Sequence, residues 1–262
     1  MDIIVCIKQV PGTNKVDIDP VTGTLKRDGV SSKMNPYDLF ALECALELKE
    51  QNSGTVQTVS MGPPQAKAVL EESLWMGADR GVLLSDRAFG GADVLATSYC
   101  LSLGVSKLGS FDLILAGKQT TDGDTAQVGP ELAERLGIEH AANVLRIDAI
   151  DEKSVTVTID LDGVEQTQKM LFPCLLTVEK DMNTPRLPSY LKKKETKDEQ
   201  ISVFSLADFP DADKSMLGLK GSPTQVERIF PPEARQGQTK LTGTSDELSA
   251  QLYAMLANEK FI

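Results

Sequence analysis

The strongest constraint on this chain is a rhythm in its first half. Short aliphatic runs at residues 3–7, 56–61, 81–84 and 111–116 alternate with longer stretches of helical character. Unbroken apolarity over so few residues suits strands buried on both faces, as in a parallel sheet; a half-exposed strand would alternate instead. The stretches between them have the length that a parallel crossover needs, roughly a dozen residues or more. Asn35 followed by Pro36 is an N-cap with proline at the first helical position, with Asp38 in the first turn. Leu39, Leu42 and Leu46 then form an apolar stripe. A second helix is expected over residues 64–76, stopped by Gly77, and a third from 92–93 to about 105. A fourth runs from about 127 to Gly137. Helices following buried strands predict an α/β fold: a doubly wound, mostly parallel sheet of the adenine-nucleotide-binding type.

The second half changes style. Residues 154–161 alternate through Val155, Val157 and Ile159, and Asp162-Gly163 marks a β-hairpin turn. Residues 174–178 read as another apolar strand. The following DMNTPRLPSYLKKKETKDE is rich in proline and then in charge, which no core accepts, so residues 182–198 are expected as an exposed loop with an ordered tip. From residue 222 onward come Pro223, Pro231-Pro232 and Gly237, then one helix over 245–258. This divides the chain into an α/β domain, 1–221, and a C-terminal arm, 222–262. Leu248, Leu252 and Leu256 give the arm a buriable stripe suited to docking on a partner subunit.

Composition removes several function classes. A net charge of -11 argues against nucleic-acid binding, which needs clustered Lys and Arg. Cys6, Cys44, Cys100 and Cys174 are scattered among apolar neighbours, where cysteine acts as a small hydrophobe. A single histidine, His140, cannot build a His-based metal cluster. MDIIVCIKQV lacks the features of a signal peptide, and no run approaches the ~20 apolar residues of a membrane span. A cytoplasmic protein with no membrane partner is expected. No nucleophile, base or carboxylate-pair constellation is present, so no catalytic residue is assigned and any redox chemistry must come from a cofactor.

The stretch FDLILAGKQTTDGDTAQVGPELAERLG carries the most chemistry. A buried strand ends at Ala116, and the loop Gly117, Lys118, Gln119, Thr120, Thr121, Asp122, Gly123, Asp124, Thr125, Ala126 leads to a helix start at Gln127 and Val128. Free amides at the edge of a sheet and at a helix N-terminus bind anions in this class of fold. Thr125 is placed to cap the helix and to donate to a phosphate. Asp122 and Asp124 would repel a phosphate, so they brace the loop or accept from ribose or base donors. Neither G-x-G-x-x-G nor G-x-x-x-x-G-K-[ST] is present, and an ordinary capped βα turn is the competing reading. The same edge would collect Cys6, Lys8, Asn35 and Met61. The turn SDRAFGGADVLATS adds Gly90 and Gly91 before a helix start, with Asp93 and Thr97. Its paired glycines admit a close ligand or simply a flexible loop.

At these residues the chain resembles the β subunit of electron-transfer flavoproteins. The likeness runs through VCIKQVPG, SSKMNPYDLFALECALELKE, SMGPPQAKAVLEESLWMGADRGV, LAGKQTTDGDTAQVGPELAE and NTPRLPSY, in order and across nearly the whole chain. The segment around Asp162-Gly163 and through Pro173-Cys174 looks like the family's signature, departing from it at Ile159 and Gln168. The resemblance implies a site for AMP, or for a second FAD, at Cys6, at Asn35, Pro36, Tyr37 and Asp38, at Met61, and at Gly117 through Val128. It also implies an α subunit as partner. A recognition loop, Leu187, Pro188, Ser189, Tyr190 and Leu191 with Leu187 as apolar anchor, would dock a flavin-dependent dehydrogenase. Lys192, Lys193 and Lys194 would rim the loop for an acidic partner, or form a plain solvated run. NPYDLFALE, DGDTAQVGP and GGADVLATS are similar to the bifurcating class. That class oxidises NADH and divides the electrons between the dehydrogenase and a low-potential acceptor such as ferredoxin or flavodoxin. Gly90, Gly91, Asp93 and Thr97 would then lie near the flavin ring or the nicotinamide. Two alternatives stand beside this: a one-flavin carrier holding a structural AMP, and a stand-alone adenine-nucleotide sensor of similar α/β plan.

Overall fold

The computed structural model describes residues 1–12, 32–224 and 240–262. The chain splits into two compact units, Met1–Glu227 and Arg228–Ile262. Pro231-Pro232 and Gly237, assigned above to the arm, lie outside the described residues.

The larger unit is built on a nine-stranded sheet in the order β11-β5-β4-β1-β6-β10-β7-β8-β9. Its strands are β1 (Asp2–Cys6), β4 (Thr55–Met61), β5 (Arg80–Leu84), β6 (Leu113–Gly117), β7 (Glu139–Ile150), β8 (Ser154–Asp160), β9 (Glu165–Leu171), β10 (Cys174–Val178) and β11 (Ile201–Phe204). A separate ribbon pairs β2 (Gln9–Pro11) with β3 (Ser32–Met34). From β11 across to β7 every pairing is parallel; β8 and β9 then add antiparallel strands. The expected α/β class and mostly parallel sheet are thus observed.

Alternation along each central strand feeds two cores. Ile3, Val5, Val56, Leu113, Leu115 and Leu176 pack against α1 (Pro36–Asn52) and α2 (Lys67–Met76). Ile4, Val59, Val82, Ile114 and Leu175 pack against α3 (Val94–Leu108) and α4 (Val128–Leu136). This double burial explains the unbroken apolar runs. A one-residue register slip would exchange the two sets of side chains, so the register is strongly specified.

Besides the short β2–β3 ribbon, β7 and β11 were not legible as strands. β7 extends over 12 residues although its sequence, EHAANVLRIDAI, carries charge and no steady alternation. Its pairing shifts register between Val144 and Arg146 and again between Ile147 and Ala149, so a strict period of two is broken twice. β11 is short and half-exposed. The hairpin at Asp162-Gly163 forms as expected: both residues have positive φ, and Leu161 and Val164 exchange backbone bonds.

The smaller unit contains α6 (Ser245–Asn258), whose start is closed by a reciprocal Thr244–Glu247 capping box. None of the residues of α6 is buried, and Leu252, Tyr253 and Met255 are exposed.

The start of α4 lies close against β10, because a Cβ on buried Gly129 would collide with Thr177 Cγ2. Thr177 has little freedom to yield, since its hydroxyl accepts from the Asn143 amide at 3.2 Å. Gly129→Ala is expected to cost about 1–3 kcal/mol of stability through overpacking. Equilibrium urea unfolding followed by circular dichroism checks this; a wild-type midpoint would show that the helix can move off the strand.

Candidate functional site

The chain runs from β1 outward to β4 and β5, then crosses back to place β6 on the other side of β1. The crevice above the C-terminal ends of β1 and β6 is therefore a topological switch point, where doubly wound sheets bind ligands. The loops following these two strands and the start of α1 converge there.

Asn35 joins these pieces. Its side chain is fully buried, and although it occupies the N-cap position it makes no capping bond. Its amide nitrogen donates to the Gln119 carbonyl at 2.9 Å, and its carbonyl oxygen accepts from the Thr121 amide at 3.3 Å. Its backbone amide donates to the Lys8 carbonyl at 2.9 Å. The expected cap is thus a cross-brace: the side chain is worth more where buried backbone groups of the next loop need partners.

Asp38, one turn on, is 5 % exposed and accepts from the Lys8 amide at 2.8 Å. Burial pushes its carboxyl up to about 7, against the Asn35 side chain, the Lys8 and Gly117 amides and the Lys8 charge, which pull it down. Gly117 is required beside it, because a Cβ would stand 2.5 Å from the Asp38 carboxylate and 2.6 Å from Tyr37 Cβ. Cys6 is pushed up to about 12 by burial first and by the Asp38 charge second, which keeps it a neutral thiol.

The loop itself is folded on its own polar groups. The Thr120 carbonyl accepts from the Asp124 amide at 3.0 Å, Thr120 Oγ1 accepts from the Gly123 amide, and Gln119 Nε2 donates to Asp124. Lys8 Nζ meets Asp122 at 2.7 Å, which despite partial burial holds that carboxyl below its usual range. Both aspartates brace the loop, as the sequence suggested. The Lys118 amide donates to Val178 on β10, and its Nζ pairs with Glu179 at 2.6 Å. Asp124 and Ala126 have φ near +54° and +55°, a left-handed geometry that costs energy in non-glycine residues and turns the backbone sharply before α4. Thr125 does not cap α4: the N-cap position is Gln127, and no side chain caps there.

Residues 121–125 stay exposed at the mouth of this crevice. At the same edge the buried Ser60 hydroxyl finds no partner among the described residues. Met61 ends β4, the strand beside β1. An exposed polar loop and the uncapped amides at the start of α4 are groups that could meet an anionic ligand.

The Gly90–Thr97 turn is a separate structure. Asp93 caps α3 through the Ala96 amide at 3.1 Å and accepts from the Thr224 amide at 2.9 Å. Burial alone would raise its carboxyl, but these amide donors hold it low. The Gly90 carbonyl accepts from Leu219. One polar link toward α4 is Ser98, which bridges Glu131 at 3.2 Å and Arg135 at 3.0 Å.

The segment after β10 runs back along α1, away from the crevice. Asn183 donates to the Phe40 carbonyl, Arg186 engages Glu43 and Glu50, and the Ser189 amide donates to the Trp75 carbonyl at the end of α2. It ends in α5 (Tyr190–Glu195), capped by Ser189. Leu187, Tyr190 and Leu191 project to solvent, Leu187 at 88 % exposure.

Because the folded-state Asp38 carboxyl lies above its ordinary value of 3.8, the folded chain binds that proton more tightly. Its contribution to stability is complete below about pH 3.8 and is lost as pH rises to about 7. Asp38→Asn should remove a loss on the order of 4 kcal/mol between pH 4 and 7. Urea unfolding across that range checks this, and parallel pH profiles for the two proteins would refute it.

Comparison with known proteins bears on the whole chain. A family model described as the electron transfer flavoprotein domain matches residues 22–209. The electron transfer flavoprotein subunit beta of Clostridium acetobutylicum is 45% identical over 262 residues, 100% of each chain. Subunit CarD of the caffeyl-CoA reductase-Etf complex of Acetobacterium woodii is 46% identical, again over 100% of both. Protein FixA of Azorhizobium caulinodans is 41% identical over 97% of this chain and 94% of its own. With the doubly wound sheet and a family match over most of its length, the chain belongs to the electron-transfer flavoprotein family, among its β subunits.

Proposed function

We propose that this β subunit holds FAD at the switch point between β1 and β6 and works with an α subunit. In this reading the pair takes electrons from NADH and delivers them to a flavin-dependent dehydrogenase and to a low-potential acceptor such as ferredoxin or flavodoxin. The observation that carries it is the convergence of Lys8, Asn35, Asp38 and the Gly117–Gln127 loop on that crevice. A flavin supplies the two-electron and one-electron chemistry that no side-chain constellation in the sequence offers.

The chain's own residues bind and orient. Asn35 and Asp38 fix the loop backbone, and the start of α4 offers amides to phosphate oxygens. Thr125 and Gln127 are placed to donate from the exposed mouth. Lys8 balances Asp122, reducing the repulsion an incoming phosphate meets. Gly90, Gly91, Asp93 and Thr97, at the start of α3, would face the far end of the ligand. Support for two electron routes is the likeness to a subunit of a caffeyl-CoA reductase-Etf complex, together with the NPYDLFALE, DGDTAQVGP and GGADVLATS segments. The unburied stripe of α6 supports docking of residues 222–262 on the α subunit. Leu187, Tyr190 and Leu191, with Lys192, Lys193 and Lys194 behind them, form an apolar tip with a basic rim. Such a surface suits a dehydrogenase with an acidic border.

Cofactors released by acid from the co-expressed αβ complex are expected at two FAD and no AMP per heterodimer. One FAD and one AMP would instead make this chain a nucleotide holder in a one-flavin carrier. Leu187→Ala should slow electron delivery to the dehydrogenase about tenfold while leaving nucleotide content intact. Steady-state transfer rates check this, and an unchanged rate removes Leu187 as the anchor.

A further inference from the structure

Three apolar side chains stand in solvent on the docking segment: Leu187 at 88 %, and Tyr190 and Leu191 at 69 % each. The helix that carries two of them has only six residues, far too few to persist unaided. Something outside the helix must hold it. The residue immediately before Leu187 makes the densest set of polar contacts in this segment. The Arg186 backbone amide donates to Glu43 Oε2 at 2.9 Å, and its Nε lies 3.0 Å from both Glu43 oxygens. One terminal nitrogen donates to Glu43 Oε1 at 2.9 Å, and the other reaches Glu50 at 2.5 Å.

Glu43 is the unexpected member. Its side chain is 5 % exposed and sits mid-helix on α1, among residues that otherwise fill the core. A buried carboxylate is costly, and an apolar residue there would serve stability as well or better. Among the described residues Arg186 is its only cationic partner within ion-pair distance. A planar guanidinium gripping a buried carboxylate in two places fixes direction as well as distance. The other fastenings are weaker. Asn183 and Ser189 each give one neutral bond, and Lys193 stacks over the Trp75 ring at 4.4 Å from the side.

We propose that the Arg186 fork on Glu43 and Glu50 is the positioning device that presents Leu187 to the dehydrogenase. The proposal rests on the docking reading above. A tip held in its bound pose has little ordering entropy left to lose on association. Releasing the fork therefore weakens encounter with the dehydrogenase and leaves turnover in the formed complex unchanged. Asn35, Asp38 and the loop they hold at the first turn of α1 take no part in the fork's contacts.

The test uses the intact αβ complex, with a flavin-dependent dehydrogenase that the wild-type complex reduces as acceptor. Arg186→Gln is expected to raise the KM for that acceptor about tenfold with kcat near wild type. Arg186→Lys, which keeps the charge but loses the fork, should fall between. Trypsin should nick the native complex at Lys192, Lys193 and Lys194 about tenfold faster in Arg186→Gln. The double variant Arg186→Gln/Leu187→Ala should have the KM of Leu187→Ala alone, because the fork acts only through the tip. If Arg186→Gln does not assemble, Glu50→Gln loosens the fork from its exposed side without emptying Glu43, with about a threefold rise in KM expected. A raised KM for Leu187→Ala with an unchanged one for the fork variants overturns the clamp and leaves the docking reading standing. An unchanged KM for Leu187→Ala overturns the docking reading and the clamp together.

Discussion

The C-terminal edge of this sheet depends on two buried polar side chains in the first turn of α1. Asn35 and Asp38 lie where a helix start would ordinarily face water, and both are turned inward onto backbone groups of neighbouring loops. Buried amides and carbonyls must find partners, so a loop that crosses such a position is held wherever those partners are offered. The Lys8 backbone, the 119–121 backbone and Gly117 all take their places from this turn. Removing either side chain leaves several unsatisfied groups at once, which is why the site is defined by braces more than by candidate ligand contacts.

The same helix also fastens the segment that follows β10. α1 has 17 residues and is therefore about 25 Å long. Its first turn braces the loops at the C-terminal edge of the sheet, and Glu43 and Glu50 farther along hold Arg186 of the segment after β10. The chain returns from β10 along α1, contacting Phe40, then Glu43 and Glu50, then Trp75 at the end of α2.

Legibility followed burial. β1, β4, β5, β6 and β10 are covered on both faces, and each was readable as an apolar run within a residue or two of its observed ends. β7 was not, because it serves as the bend between the parallel and antiparallel parts of the sheet. Its two register shifts spread apolar residues irregularly between the faces. The helix over 245–258 matched in both bounds, since the Thr244–Glu247 capping box is a local signal. Thr125 looked like a cap only because threonine precedes a helix there; left-handed Asp124 and Ala126 carry its side chain past that position.

What the sequence by itself determined is what short-range chemistry encodes. It specified the alternation of strand and helix, the hairpin at Asp162-Gly163, the polar loop after β6, and, through long matching segments, membership of the flavoprotein family. Only the tertiary structure decided what the polar residues do. Asn35 and Gln119 are 84 positions apart, and Glu43 and Arg186 are 143 apart. No local pattern can foresee that a capping residue will brace a distant loop, or that a helix glutamate will seize an arginine beyond β10. Those assignments depend on which faces the crossovers bring together, and that is fixed by burying both sides of the sheet at once.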